Sequence, residues 1–167
     1  MKKLKPFEYI FISAIITLGI AIDQITKFLA SSFLPFGKEK PILDGLLSFT
    51  YITNDGAAWG MLDNARWVFM SVSTVAIIAM AIFLYGGLSQ SRLYTVSVAL
   101  MLSGGIGNMI DRIAYGYVVD FIDAAFMDFP KFNIADSLVC IGAGLLILAL
   151  VLDIIKESKE QKKNANS

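Results

Sequence analysis

Apolar residues fall in four long blocks separated by few charges. Residues 67–91, between Arg66 and Arg92, are 25 consecutive positions without a charge, and residues 93–110, between Arg92 and Asp111, are another 18. Each run suffices, or nearly so, to cross a hydrocarbon core of roughly 30 Å as a helix. The two outer runs are shorter: Tyr9–Ile22 has 14 uncharged residues and Ser137–Leu152 has 16. At about 1.5 Å of rise per residue neither crosses alone, so each must recruit polar neighbours. That draws Asp23 and Lys27 into the first span and Asp136 into the first turn of the fourth. The pattern predicts an all-α membrane protein forming one membrane domain over residues 1–167. It has four transmembrane helices near 9–29, 67–88, 93–112 and 134–154, with connections at 30–66 and 113–133 on one side. The first of these connections holds Pro41, Asp44-Gly45 and Asn54-Asp55-Gly56 around the strand-like stretch Ser48–Thr53. These turn residues and alternating β-formers predict a small extracytoplasmic β-sheet between helices 1 and 2, with Phe49, Tyr51, Trp59 and Trp67 at interfacial depth. The second connection is read as an extracytoplasmic loop between helices 3 and 4, long enough to fold over a pocket mouth. No internal repeat is evident.

Charge sets the orientation. Lys2, Lys3 and Lys5 at the head, Arg92 in the short middle connection, and Lys156, Lys159, Lys162 and Lys163 in the tail place both termini in the cytoplasm by the positive-inside rule. The basic head followed by an apolar run resembles a secretory signal peptide. Because three more such runs follow, it is read as a retained signal anchor. In this orientation three spans bring their polar residues to the outer face: Asp23, Gln24 and Lys27; Asn108, Asp111 and Arg112; Asn133 and Asp136. Ionisable groups beside hydrocarbon are costly unless they pair or line a polar cavity, so their convergence at one depth marks a site.

Composition narrows the chemistry. The chain is 56% hydrophobic and 17% charged, with a mean hydropathy of +0.67, too apolar for a soluble domain of this length. Fourteen basic and fourteen acidic residues cancel, which gives no reason to expect nucleic acid as a partner. Histidine is absent and Cys140 is the lone cysteine, so Cys/His and Ser/His/Asp nucleophiles and the usual zinc sites are excluded. No metal or cofactor is expected, and carboxylates, lysine and hydroxyls are left for any catalysis. Asp120 lies among large apolar residues that would raise its pKa by desolvation, and with Asp136 it could form a pair that shares one proton and activates water.

Plainer readings exist for each residue. Asn133 and Asp136 have capping-box spacing, which accounts for Asp136 as well as catalysis does. Asp120 alone reads as an ordinary loop acid. Asp23 and Lys27, at i and i+4, could be a surface ion pair worth about 0.2–0.5 kcal/mol. Asn108 and Arg112 share a face, and Arg112 could simply snorkel to the interface. Asp111 reads as a boundary charge off that face. Gly104-Gly105-Ile106-Gly107 reads as a helix-packing surface that could also leave room for a bound chain, and Cys140 as a packing residue.

In combination these segments resemble the motif set of lipoprotein signal peptidases, also called signal peptidase II. Five blocks carry the resemblance in order: Asp23 to Lys27; Asn54 to Gly60; Gly104 to Asn108 with Asp111-Arg112; Val118 to Asp123; and Phe132 to Asp136. The resemblance implies an aspartic endopeptidase of the bacterial cytoplasmic membrane that cuts prolipoproteins just before their diacylglyceryl-modified cysteine. It makes Asp120 and Asp136 catalytic, and it assigns substrate binding to Asp23, Lys27, Asn54, Gly56, Asn108, Arg112 and Asn133. Its implied partners are lipid-modified prolipoproteins and membrane lipid, with a monomeric enzyme. The segment Asp123–Lys131 matches none of the blocks. A proton-coupled transporter is the alternative for acids within spans, but such sites usually lie near the midplane and are built from repeats. A non-catalytic scaffold would leave the acid pair without a role. Gly105-Ile106-Gly107-Asn108 is similar to the Gly-x-Gly-Asp signature of presenilin-like proteases but has asparagine at the catalytic position.

Overall fold

The structure is a computed structural model and describes residues 5–55, 66–88 and 91–165. Its elements run α1 (Pro6–Phe33), β1 (Lys40–Leu43), β2 (Leu47–Asn54), α2 (Arg66–Tyr85), α3 (Arg92–Ala114), β3 (Val118–Asp123) and α4 (Ile134–Ala165). Four helices are long and apolar enough to cross a membrane, at Pro6–Phe33, Trp67–Tyr85, Arg92–Ala114 and Ile134–Lys162.

Local chemistry sets the helix ends. Pro6 opens α1 at its first turn, where a missing N–H is harmless, and the Glu8 carboxylate accepts the Lys5 backbone N–H at 2.6 Å. Pro35 follows directly after the last turn. α2 stops at Gly86-Gly87, with Gly87 in the left-handed region (φ 69°), the usual glycine terminus. Ser91 caps α3 by accepting the Tyr94 N–H. At α4 the Asn133 side-chain oxygen accepts from Asp136 N at 3.0 Å, and the Asp136 carboxylate accepts from Asn133 N at 3.1 Å. This is the reciprocal capping box foreseen from the spacing.

Helix α3 is central and packs against α1, α2 and α4. Ile12 and Ile16 of α1, Leu84 of α2, and Val98, Ala99 and Leu102 of α3 form the apolar core. Above that core the helices approach more closely, because α3 presents glycine. A Cβ on Gly104 would collide with the Ala135 carbonyl of α4, and one on Gly107 would sit 2.5 Å from the Asp23 carboxylate of α1. The glycine face is therefore a packing surface. It is closed by α4 and α1, which corrects the expectation that it leaves room for a bound chain. Cys140 is also corrected: it is exposed on α4 and does not pack inside.

The sheet differs from the expectation in one respect. It has three antiparallel strands in the order β1-β2-β3. Its third strand comes from the connection between α3 and α4, where the sequence predicts a loop. Four of the six residues Val118–Asp123 are β-branched or aromatic, types that fit a pleated, half-buried surface. In the β2-β3 register Asn54 lies opposite Val118, Ile52 opposite Asp120 and Ser48 opposite Asp123, with an irregularity between Phe49 and Ile52. Phe49 packs edge-on against Phe121, with centroids 5.9 Å apart, and Tyr51 against Phe36. Trp67 is exposed at the start of α2; Trp59 lies outside the described residues.

The glycine contacts predict the outcome of a paired substitution. Gly104→Ala must force α3 and α4 apart and should lower stability by about 1–3 kcal/mol, as overpacking does. Gly105→Ala meets Ile77 at 3.5 Å and Met80 at 3.9 Å, ordinary van der Waals contacts, and should be neutral or slightly stabilising because alanine favours helix. Thermal unfolding of the two variants in detergent checks both, and equal melting temperatures would remove the close-packing account.

Candidate active site

The site is built on a buried lysine. Lys27, one turn after Asp23 on α1, directs its ammonium at Asp23 Oδ2 (2.9 Å), Asp111 Oδ2 (3.0 Å) and Asn108 Oδ1 (2.8 Å). Three acceptors match its three protons. The other Asp23 oxygen accepts Ala135 N at 2.8 Å, so a carboxylate from α1 satisfies an orphan amide at the start of α4. Asp111 Oδ2 also accepts Val119 N of β3 at 3.1 Å, and its Oδ1 accepts Gln24 Nε2 at 2.9 Å. Asp23, Lys27 and Asp111 are each no more than 3% exposed. This corrects two readings. Asp23 and Lys27 are not a surface ion pair, and Asp111 is not a boundary charge but joins α1, α3 and β3. Gln24 and Asp111 are among the polar residues that the sequence gathers at this face, but it assigns neither a binding role. The available signal was that Asp111 stands at i+7 from Gly104 and i+4 from Gly107, on the face the glycines open.

Two further carboxylates lie above this framework. Asp120, on β3, accepts Asn54 Nδ2 on Oδ2 (2.9 Å) and Asn133 Nδ2 on Oδ1 (2.7 Å). It is 2% exposed and sits on a strand, which corrects its reading as an ordinary loop acid. Asp136, in the first turn of α4, accepts Asn108 Nδ2 on Oδ1 (2.7 Å) and Asn133 N on Oδ2 (3.1 Å). Asn133 thus holds both acids, one through its side-chain amide and the other through its backbone. Asn108 links the pair to the lysine, donating to Asp136 while its oxygen accepts from Lys27 and from Asn133 Nδ2 (3.1 Å). Capping and candidate chemistry coincide at Asp136.

Burial pushes the Asp120 carboxyl up to about 6. The nearby Asp136 charge adds to the rise, while hydrogen bonds from Asn54 and Asn133 and the Lys27 charge oppose it. A carboxyl in this range exchanges protons at working pH, as general acid–base catalysis requires. Arg112 is half-buried on α3, with its guanidinium over the Phe69 ring of α2, 5.6 Å from the centroid. It stacks on α2 rather than merely snorkelling to the interface. Of the residues singled out from sequence, Asp23, Lys27, Asn54, Asn108, Asn133, Asp120 and Asp136 are joined in one hydrogen-bonded network. Gly56 lies outside the described residues. Among the described residues, no group of three or more His, Cys, Asp or Glu side chains is placed to hold a metal ion.

Comparison with known proteins meets this geometry. A family model described as "Signal peptidase (SPase) II" matches residues 15–152, a stretch that contains every carboxylate and amide of the network. The chain is 42% identical over 137 residues to a lipoprotein signal peptidase of Symbiobacterium thermophilum, covering 81% of this chain and 90% of that one. It is 39% identical over 162 residues to that of Geobacter metallireducens (94% and 99%) and 41% identical over 146 residues to that of Bacillus subtilis (86% and 95%). A solved structure described as a "Bacterial membrane enzyme structure by the in meso method at 2.3 A resolution" superposes with a TM-score of 0.81 at 34% identity, covering 86% of this chain and 89% of the other. A second such structure, at 1.9 Å, gives a TM-score of 0.77, also at 34% identity, with coverage of 84% and 92%. A membrane-enzyme architecture, a buried carboxylate network and relatives of one kind across most of the chain's length converge: the chain belongs to the signal peptidase II family.

Proposed function

We propose that this protein is an aspartic endopeptidase of the bacterial cytoplasmic membrane. It removes signal peptides from prolipoproteins immediately before the diacylglyceryl-modified cysteine. The observation that carries the reading is the pair of acids, buried Asp120 and half-buried Asp136, tied together through Asn133. The pair shares one proton. Its ionised member takes a proton from water as the water oxygen attacks the carbonyl carbon preceding the modified cysteine. The protonated member gives its proton to the carbonyl oxygen, forming a tetrahedral diol. Collapse of the diol returns that proton to the dyad, while the proton taken from water moves to the cysteine nitrogen as the C–N bond breaks. No cofactor enters this cycle.

Substrate-binding roles divide by position. Arg112 and Gly56 are proposed to hold the substrate backbone. Asn54, Asn108 and Asn133 hold the two carboxyls and also face the substrate. Asp23 and Lys27 act on the substrate through the framework they brace. With both termini cytoplasmic, the dyad lies near the extracytoplasmic face, at the depth where a lipid-anchored substrate presents its scissile bond. The enzyme works as a monomer on lipid-modified prolipoproteins within membrane lipid.

Two experiments follow. Asp120→Asn and Asp136→Asn, purified in detergent with unchanged yield of folded protein, should each lower cleavage of a diacylglyceryl prolipoprotein by about 10²-fold or more. Full activity in either variant would end the two-carboxylate mechanism. The second concerns pH. Activity needs one proton on the pair, so kcat/KM should fall as pH rises beyond the Asp120 value of about 6. The Asn54 hydrogen bond favours the ionised form, so Asn54→Ala raises the Asp120 pKa and should move the alkaline limb to higher pH. The shift should be roughly one unit, because a hydrogen bond to a charged group contributes about 1.5 kcal/mol or more and one pKa unit corresponds to about 1.4 kcal/mol. A limb that stays in place or moves down would detach it from Asp120.

A further inference from the structure

Two loops leave the sheet at the same end. β2 begins at Leu47, directly after the hairpin turn closed by Leu46 N donating to Leu43 O (2.9 Å). β3 ends at Asp123, whose register partner is Ser48. The hairpin turn and the segment 124–130 therefore project together, and both have apolar tips. Leu43, Leu46, Phe126, Met127 and Phe129 are each between 44% and 56% exposed, apart from Phe126 at 64%. None of them belongs to a helix long enough to span a membrane.

The second tip is held firmly at its base. Lys131 Nζ pairs with Asp123 Oδ2 at 3.0 Å. Ile122 and Phe132 exchange backbone hydrogen bonds of 2.8 and 3.0 Å, and Met127 N closes a turn onto Ala124 O. The base also places the loop relative to the spans, since Phe132 lies two residues before the start of α4. The loop thus issues from beside the first turn of α4, one of the four helices long and apolar enough to cross a membrane. Asp44, Asp128 and the Asp123–Lys131 pair supply polar groups close to the apolar side chains, the composition of a surface that lies in a membrane interface rather than within the core.

We propose that the tips of the β1-β2 turn and the 124–130 loop form one lipid-docking lip. Leu43, Leu46, Phe126, Met127 and Phe129 insert at the headgroup–acyl boundary of the leaflet on the site's side of the membrane. Exposed apolar patches rimmed by polar residues mark interaction surfaces, and continuity with the four apolar spans makes lipid the occupant. The base of the loop, the Asp123–Lys131 pair, is three residues from Asp120 along β3 and two residues from Asn133. Anchoring the lip in lipid sets the height of both carboxylates relative to the bilayer. The proposal depends on the membrane placement of the spans and not on the aspartic mechanism.

Depth-resolved fluorescence on the full chain in nanodiscs of phosphatidylethanolamine and phosphatidylglycerol tests it. Leu46→Cys and Phe126→Cys, each in a Cys140→Ala background, carry an environment-sensitive nitrobenzoxadiazole label, and Lys159→Cys on the exposed tail of α4 serves as the water-facing reference. Both loop labels should emit to the blue of the reference. They should be quenched by lipids bearing a nitroxide about 5–10 Å below the headgroups and shielded from aqueous iodide. Either label emitting and quenching like the reference overturns the two-tip lip. A label that is water-like alone and becomes shielded only when uncleaved prolipoprotein is added assigns the tips to substrate, and that also overturns lipid docking.

Discussion

An ammonium group at the edge of a hydrocarbon layer is tolerated only if acceptors surround it, and Lys27 is met by Asp23, Asp111 and Asn108. The acceptors come from two helices, and each has a second duty. Asp23 satisfies the Ala135 amide in the first turn of α4, Asp111 holds the backbone of β3, and Asn108 holds Asp136. Removing one partner from such a cluster leaves a buried charge uncompensated, which commonly costs about 3–5 kcal/mol. The rest of the upper structure depends on this arrangement, because it is where α1, α3, α4 and the sheet are fastened together.

Close approach of backbones makes the fastening possible. Gly104 admits the Ala135 carbonyl and Gly107 admits the Asp23 carboxylate, so polar groups meet at hydrogen-bonding distance where larger residues would hold the helices apart. The same economy appears at Asn133. One residue caps α4, orients Asp136 and donates to Asp120. Structure and candidate chemistry are the same set of bonds here, and asking whether Asp136 is a cap or a catalyst sets two compatible roles against each other.

Much of this was legible in the sequence. Uncharged run lengths exposed the four helices, and the gathering of Asp23, Lys27, Asn108, Asn133 and Asp136 at one end of them exposed the site. Three things were not legible, for physical reasons. Burial of the Asp23–Lys27 pair depends on what packs over it, and i,i+4 spacing is the same on an exposed face as on a buried one. The strand character of Val118–Asp123 was visible in its β-branched residues. Its partner β2 lies more than 60 residues earlier, however, and a pairing of that separation leaves no local trace. Asp111 looked peripheral because it is off the Asn108–Arg112 face, whereas it shares the face that Gly104 and Gly107 open.

The order of β2 and β3 in the chain has a temporal consequence. Asp120 is held by Asn54, which precedes α2 and α3, and by Asn133, which follows both. Asp136 belongs to α4, which is made after all of these. A chain emerging from the ribosome therefore has no complete acid pair while α2 and α3 are being inserted. The pair is assembled only when α4 docks and its first turn closes on Asp23 and Asn108. The acid pair proposed to carry hydrolysis is thus completed only after α1, α2 and α3 have been made. The order of elements along the chain makes this pairing one of the later contacts to form.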